Sequence, residues 1–490
     1  MRSSARTRPG ARPETNAYGA LSVLRERRAG GEEHTLAHAA EILRELAQPS
    51  NAAAHSTPRL LGQVEAAAAK DDKEREENDL EPLRRKPDLQ PVPARELGAA
   101  VQLAPWQVLH SLARAIALSR RGAGRGLAEH WGCLKYTQAL TGAPGTFMAL
   151  SAEGRDTAEY YKKTQSDELA MGFGLALARH VLTRRHPDHS VSIVPSDTVL
   201  RAGWALAARD VTKNDPRQTI GYRYRPQFFA EVWKPGRPSR VYPIVCKGNH
   251  SGTSVSHTQL LSAAVHTEGV HIGGWADTPA LVFSTELPVE GPMTVHALHA
   301  PGNGGKLAGP GVILRDLDAV LEQDNFFPGI QPSAEGDETL EPEPGIHVRA
   351  EHFAWFQHSI ARTSAAALAA FAGDAGTIAR YLTQRQGRER FTGVAHAALG
   401  SVQDAKATLH GIPFVGTDHV LRLNGTRVEA FSGVEADLFG HLAGGRLAQY
   451  REEAHDRRAD WPADTWDSEW GGPVSVHPDG SVLAIRILVP

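Results

Sequence analysis

Hydrophobic residues first recur at helical spacing between His34 and Ala47, where Leu36, Ala39, Ala40, Leu43 and Leu46 would share one face of a short amphipathic helix. Residues 1 to about 32, which precede it, are polar and carry Arg, Pro and Gly, a composition expected to stay disordered. From Lys70 to Lys86 the chain is a dense mixture of charges followed by Pro87, Pro91 and Pro93, and reads as a solvated linker. Val101 to Leu118 then predicts a strongly apolar helix around Trp106, Leu109, Leu112 and Ile116. It ends at Arg120-Arg121-Gly122, where cations suit a helix C-terminus.

The middle of the chain alternates between the two periods. Leu169, Met171, Phe173, Leu175, Leu177 and Val181 predict a helix capped by Ser166. Within it, Gly172-Phe173-Gly174 reads as close helix packing rather than as a dinucleotide fingerprint. Short strands are expected at His189–Val194, Gln227–Trp233 and Val241–Cys246, with Pro235, Gly236 and Pro238 turning the chain between the last two. A helix over Ser256–His266 and two more strands, Ala280–Ser284 and Met293–His299, complete an α/β unit. Beyond Gly311, Ile313–Leu321 has a helical pattern and Pro328–Pro344 is an acidic, Pro-rich linker. His352–Tyr381 is Ala-rich and helical. Asn424-Gly425 and Asp479-Gly480 mark two hairpins near the C-terminus. The expected fold class is therefore α/β, a central mixed sheet flanked by helices, with a helical N-terminal region and an α+β C-terminal region. The expected boundaries are 1–97 (tail and linker with one short helix), 98–311 (core), 312–350 (linker) and 351–490 (C-terminal domain).

Composition narrows the function classes. The net charge of −3 gives no global basic field to draw the chain to nucleic acid, though a local basic surface stays open. Two cysteines, Cys133 and Cys246, are too few for a disulfide framework and suit reduced thiols in a cytoplasmic protein. No apolar stretch reaches membrane-spanning length, and the Arg-rich N-terminus lacks the apolar core of a secretory signal.

Candidate chemistry concentrates between Ser166 and Gly311. Glu168 sits on the leading helix, Glu231 in Phe228-Phe229-Ala230-Glu231-Val232-Trp233, Lys247 at the end of Ile244-Val245-Cys246-Lys247-Gly248, and Gln259 on the next helix. With its order of helix, three strands and helix, this segment resembles the PD-(D/E)xK nuclease superfamily. That resemblance implies a restriction-endonuclease-like core acting on DNA, with a helix-borne acid, an acid on the second strand, an acid-x-Lys pair on the third and a glutamine on the following helix. Phosphodiester hydrolysis of that kind holds a hard cation, here Mg²⁺, between carboxylates, and a lysine stabilises the developing charge. On this reading Glu231 and Asp197 are the metal ligands, with Asp210 as another source of an acid. Lys247, Gln259 and Glu168 complete the catalytic set. The sequence departs from the pattern at Val245, where the family's acid would stand.

Each residue also has a plain structural role open to it. Glu231 can face solvent on an alternating strand, Lys247 can mark a strand end, and Glu168 can complement a helix N-terminus. His250, His257, His266, His271, His296 and His299 enrich the same region without HExxH or zinc-ribbon spacing, and leave open a metal site near Ser251. Gly302-Asn303-Gly304-Gly305-Lys306 fails the phosphate-loop pattern, because Leu307 stands where a hydroxyl should hold Mg²⁺. The functional expectation is a DNA-associated, nuclease-like protein of restriction or phage defence. The alternative is a non-catalytic scaffold of the bacterial cytoplasm, whose N-terminal tail binds protein partners.

Overall fold

Phe228–Trp233 is buried along its whole length, as is most of Arg240–Asn249, and continuous apolar runs of this kind belong inside a sheet covered on both faces. The computed structural model describes residues 36–118, 128–203, 224–273, 278–307, 346–392 and 404–488. Seven strands form the main path of the sheet: β1 (Ser50–His55), β2 (Ala100–Leu103), β3 (Ser190–Pro195), β4 (Phe228–Trp233), β5 (Arg240–Asn249), β6 (Ala280–Glu286) and β7 (Thr294–Ala300). Their spatial order is β2-β1-β7-β6-β5-β4-β3, and the short strand Gln90–Pro91 also pairs with β7. The pairs β1–β7 and β5–β6 are parallel and the other neighbours antiparallel, so the sheet is mixed, as expected.

Side-chain alternation divides two helical layers between the two faces. Ile244, Cys246 and Phe283 point into a core shared with Leu169, Phe173 and Leu177 of the helix Glu159–Arg185. Val245, Val282 and Leu298 point the other way, onto Leu260 and Leu261 of Thr253–Glu268 and onto Leu60 and Val64 of Pro58–Glu76. The long helix packs as closely as its glycines allow. A Cβ on Gly172 would meet the Val108 carbonyl, and one on Gly174 would meet Cys246 Sγ. The close-packing role read from those two glycines is thus what the structure contains.

Several boundaries differ from expectation. The mixed-charge run is no free linker: it continues Pro58–Glu76, a helix capped by Thr57 Oγ1, which accepts from Leu60 N at 3.2 Å. Lys70–Glu74 and Lys73–Glu77 are spaced as i,i+4 pairs along it. Arg85 holds Asp71 and Asp72, while Arg84 and Lys86 reach Glu268 on the next helix layer, so the segment is tied down by charge. The helix expected from Val101 starts at Pro105 instead, because Pro is suited to a first helical turn, and Ala100–Leu103 joins the sheet. Ser166 caps nothing: the helix begins at Glu159, and Ser166 Oγ donates to the Lys163 carbonyl in mid-helix. Ile313–Leu321 and Pro328–Pro344 lie outside the described residues.

The C-terminal region is α+β as expected. Ala405–Leu409, Ile412–Leu423, Thr426–Glu435, Ser481–Ile487, Gly472–Val476 and Trp466–Asp467 form an antiparallel sheet in that order. Asn424 (φ 47°) and Gly425 (φ 86°) turn the central hairpin in the left-handed region that such a two-residue turn requires. The region is not an independent unit, however. Val428, Ala430, Leu483 and Ile485 share one hydrophobic cluster with Trp106, Leu109 and Phe173. Polar contacts join the same surfaces: Trp106 Nε1 donates to Leu483 O at 2.8 Å, His110 Nδ1 and Ser475 Oγ lie 3.0 Å apart, and Arg114 meets Asp479 at 3.3 Å.

Glu231 belongs to this junction. It is fully buried, and Arg451 of the helix Leu447–Asp456 clasps both its carboxylate oxygens at 2.9 and 3.0 Å. The Arg451 guanidinium also lies 4.0 Å from the Trp233 ring centroid.

Two outcomes follow from these contacts. Arg451→Ala strands a buried carboxylate and lowers stability by about 3–5 kcal/mol in denaturant unfolding, whereas Glu231→Leu with Arg451→Leu together lies closer to the native protein. A loss below about 1 kcal/mol in Arg451→Ala would contradict the buried pair. The second outcome concerns pH. Burial holds the His110 and His477 imidazoles well below their ordinary range and pushes His130 down to about 3. The unfolded chain protonates these groups near pH 6.5 while the folded chain does not, so stability falls as the pH drops below about 6.5. The urea midpoint should therefore decrease from pH 7.5 to 5, less steeply in His477→Phe. A midpoint that rises or stays level over that range would refute the assignment of neutral buried imidazoles.

Candidate functional site

The central strand β5 outruns its neighbour. β4 begins at Phe228, opposite Ile244, so Val245–Asn249 have no β4 partner on that side. A strand edge left this way exposes unpaired backbone groups. Gln227, at the entry to β4, covers part of it: its Oε1 accepts from Cys246 N at 2.7 Å. The notch opens into a cavity of about 740 Å³. Glu168 and Met171 of the long helix reach it from one side, Asp197 and Arg225 from another, and Lys247 stands on the open strand edge. Gly248 makes this possible, since a Cβ there would run into the Ser166 carbonyl and hold the helix away.

Three of the sequence-derived residues, Glu168, Asp197 and Lys247, thus line one cavity. Their charges are differently placed. Glu168 Oε2 accepts from Tyr136 OH at 2.6 Å and pairs with Lys135 at 2.5 Å. Burial, together with that carboxylate, pushes the Tyr136 phenol far above its ordinary range, so it remains a donor. Asp197 is gripped by Arg225 through Nε and, at 2.9 Å, through Nη2, with Arg201 at 3.6 Å. Lys247 is half-buried, and desolvation lowers its pKa against the pull of Asp167. No ion pair within 4 Å involves Lys247 among the described residues. His266 Nδ1 lies 3.0 Å from the Arg225 carbonyl, which can only accept, so Nδ1 carries the proton and Nε2 is left as an acceptor. Burial and the nearby Lys247 keep that ring's pKa low.

The other two candidates are elsewhere. Glu231 lies opposite Val241, six positions before Lys247 on β5 and so roughly 20 Å from it along the strand. Sealed by Arg451, it is a structural ion-pair partner and not a metal ligand beside Lys247. Gln259 is engaged at both ends of its amide: Nε2 donates to Gly248 O at 2.7 Å, and Oε1 accepts from Asn249 Nδ2 at 3.1 Å and Ser284 Oγ at 2.7 Å. It clips Thr253–Glu268 to β5 and β6 and does not line the cavity. Asp210 lies outside the described residues. Lys135, Arg225 and Gln227 were not indicated by spacing or motif, because they enter from separate connections. Gln227 offered only one signal, a polar residue at the mouth of an apolar strand.

The donor set does not suit Mg²⁺. Val245, two residues before Lys247, is buried in the apolar layer beneath Leu260. Of the three carboxylates that line the cavity, Glu129, Glu168 and Asp197, the last two are held by Lys135 and by Arg225 with Arg201, and a hard cation needs several oxygens converging on one point. The histidines do not supply an alternative. His296 lies between His55 (3.0 Å, through Nδ1) and Glu286 (3.1 Å, through Nε2), so its two nitrogens point in different directions. His250 Nδ1 is engaged with Leu287 O at 3.0 Å, His271 stacks on His347, and His299 approaches Arg185. Among the described residues, no group of three or more His, Cys, Asp or Glu is arranged to hold a metal ion. Nor, among those residues, is any helix long and apolar enough to cross a membrane.

Compared with protein-family models, curated proteins and solved structures, the chain matches none.

Proposed function

We propose that the chain is a DNA-associated protein on a nuclease-like α/β core, whose Lys247 cavity grips a backbone phosphate without metal-dependent hydrolysis. The observation that carries this reading is Lys247 itself: an ammonium without an ion-pair partner among the described residues, set on an open strand edge in a cavity of about 740 Å³. A phosphate is the counter-charge such a group recruits, and the energy comes largely from released counterions. The order of helix, three antiparallel strands, helix and a fourth strand parallel to the third supports the nuclease-like core. Hydrolysis through Mg²⁺ is not part of the proposal, since Gln227 and Val245 occupy the places near Lys247 where carboxylates would be needed.

Fluorescence anisotropy of a labelled duplex against the full chain tests this. Lys247→Gln should weaken binding about fivefold at low salt and reduce the slope of log K on log salt by about one. Equal affinity and equal slope in the variant would sink the proposal. Plasmid cutting by the native chain with Mg²⁺ or Mn²⁺, lost in Lys247→Gln, would replace it with a hydrolase.

A further inference from the structure

The opposite end of β3, β4 and β5 carries a second cavity, of about 390 Å³, that the first reading does not use. His186 and His189 line it from the connection between the long helix and β3, Arg240 from the start of β5, and Lys306 from the glycine-rich loop. Val232 and Pro238 supply an apolar wall. Among the described residues, no Asp or Glu lines it. Glu96, whose charge is felt at His186, is committed to Arg185 at 2.6 and 2.9 Å.

Positive charge is therefore assembled here without a counter-charge. The Arg240 guanidinium spends Nε and Nη2 on the carbonyls of Gly304 and Gly302, at 3.2 and 2.5 Å, which fixes its place without cancelling its charge. A β-bridge sets Lys306 directly across from Arg240, supported by Val241 N donating to Gly305 O at 2.9 Å. Like charges directly opposite on paired strands destabilise them unless an anion sits between. His186 Nε2 lies 2.8 Å from Tyr242 OH, so its ring is held in orientation, and His189 Nδ1 is buried with no hydrogen-bond partner. Arg240 and Lys306 thus present two cations to one small cavity, a donor set for anionic oxygens.

We propose that this cavity binds a phosphate monoester, its phosphate held by Arg240 and Lys306 and its organic part lying against Val232 and Pro238. The volume exceeds what a bare phosphate fills and falls within the range of small-ligand sites. The glycines act by letting the loop close on Arg240; the contacts to the ligand come from side chains, unlike those of a phosphate-binding loop. The proposal does not depend on the Lys247 cavity.

Isothermal titration calorimetry of the full chain with ribose 5-phosphate, inorganic phosphate and ribose tests it. Ribose 5-phosphate should bind saturably and more tightly than inorganic phosphate, with ribose giving no binding. Lys306 is exposed, so Lys306→Gln should keep the native circular dichroism and thermal midpoint while weakening ribose 5-phosphate at least tenfold. Lys247→Gln should leave it unchanged. Absence of saturable binding would overturn the site, as would native affinity in Lys306→Gln. Loss of binding in Lys247→Gln alone would assign the ligand to the other cavity. Displacement by a duplex lacking terminal phosphates would assign the cations to a nucleic-acid backbone, which also overturns the monoester.

Discussion

A helix buried on nearly every side needs a cover for each side and a partner for each polar group it takes in. Pro105–Ile116 is such a helix, with Trp106, Val108, Leu109, Leu112 and Ala113 all removed from solvent. The long helix covers one side, and Gly172 lets the two backbones meet. The C-terminal sheet covers another side with Leu483 and Ile485. The arrangement of the α/β core and the C-terminal region relative to each other follows from this shared burial. The polar contacts at Trp106, His110 and Arg114 then fix its register, since each would be left unsatisfied in a displaced packing.

The main cavity arises from a mismatch in strand length rather than from a dedicated loop. β5 continues beyond the start of β4, and the chain returns to the sheet only through Pro226 and Gln227. Around the resulting gap Glu168 pairs with Lys135 and Asp197 with Arg225. Among the described residues Lys247 has no such partner within 4 Å, which leaves its charge available to a ligand. At the far end of the same strands four basic groups share a small cavity.

The parts of this structure legible in the sequence are those fixed by local pattern. Continuous apolar runs gave β4 and β6, and Asn424-Gly425 gave its hairpin, because a left-handed pair of residues has few other uses. Lys247 was legible as the polar end of an apolar strand. Pro58–Glu76 was not, since a helix stabilised by i,i+4 charge pairs and only two fully buried apolar residues, Leu60 and Val64, resembles a solvated linker in composition. Glu231 was misread for a deeper reason. An acid in an apolar strand requires a partner, but its partner, Arg451, lies 220 positions later, and no local rule names it. The same limit hid Lys135 and Arg225, which reach the cavity only because the fold brings separate connections together.

The Trp106 indole finds its carbonyl partner 377 residues downstream, at Leu483, and a ribosome adding about 5–20 residues per second needs roughly 20–75 s to supply it. During that interval the nascent chain carries an oily helix without its final cover. The chain is thus a natural client for holding chaperones while it is being made. A chain that stops between this helix and the last strand is expected to keep the helix without its cover and to be prone to aggregation.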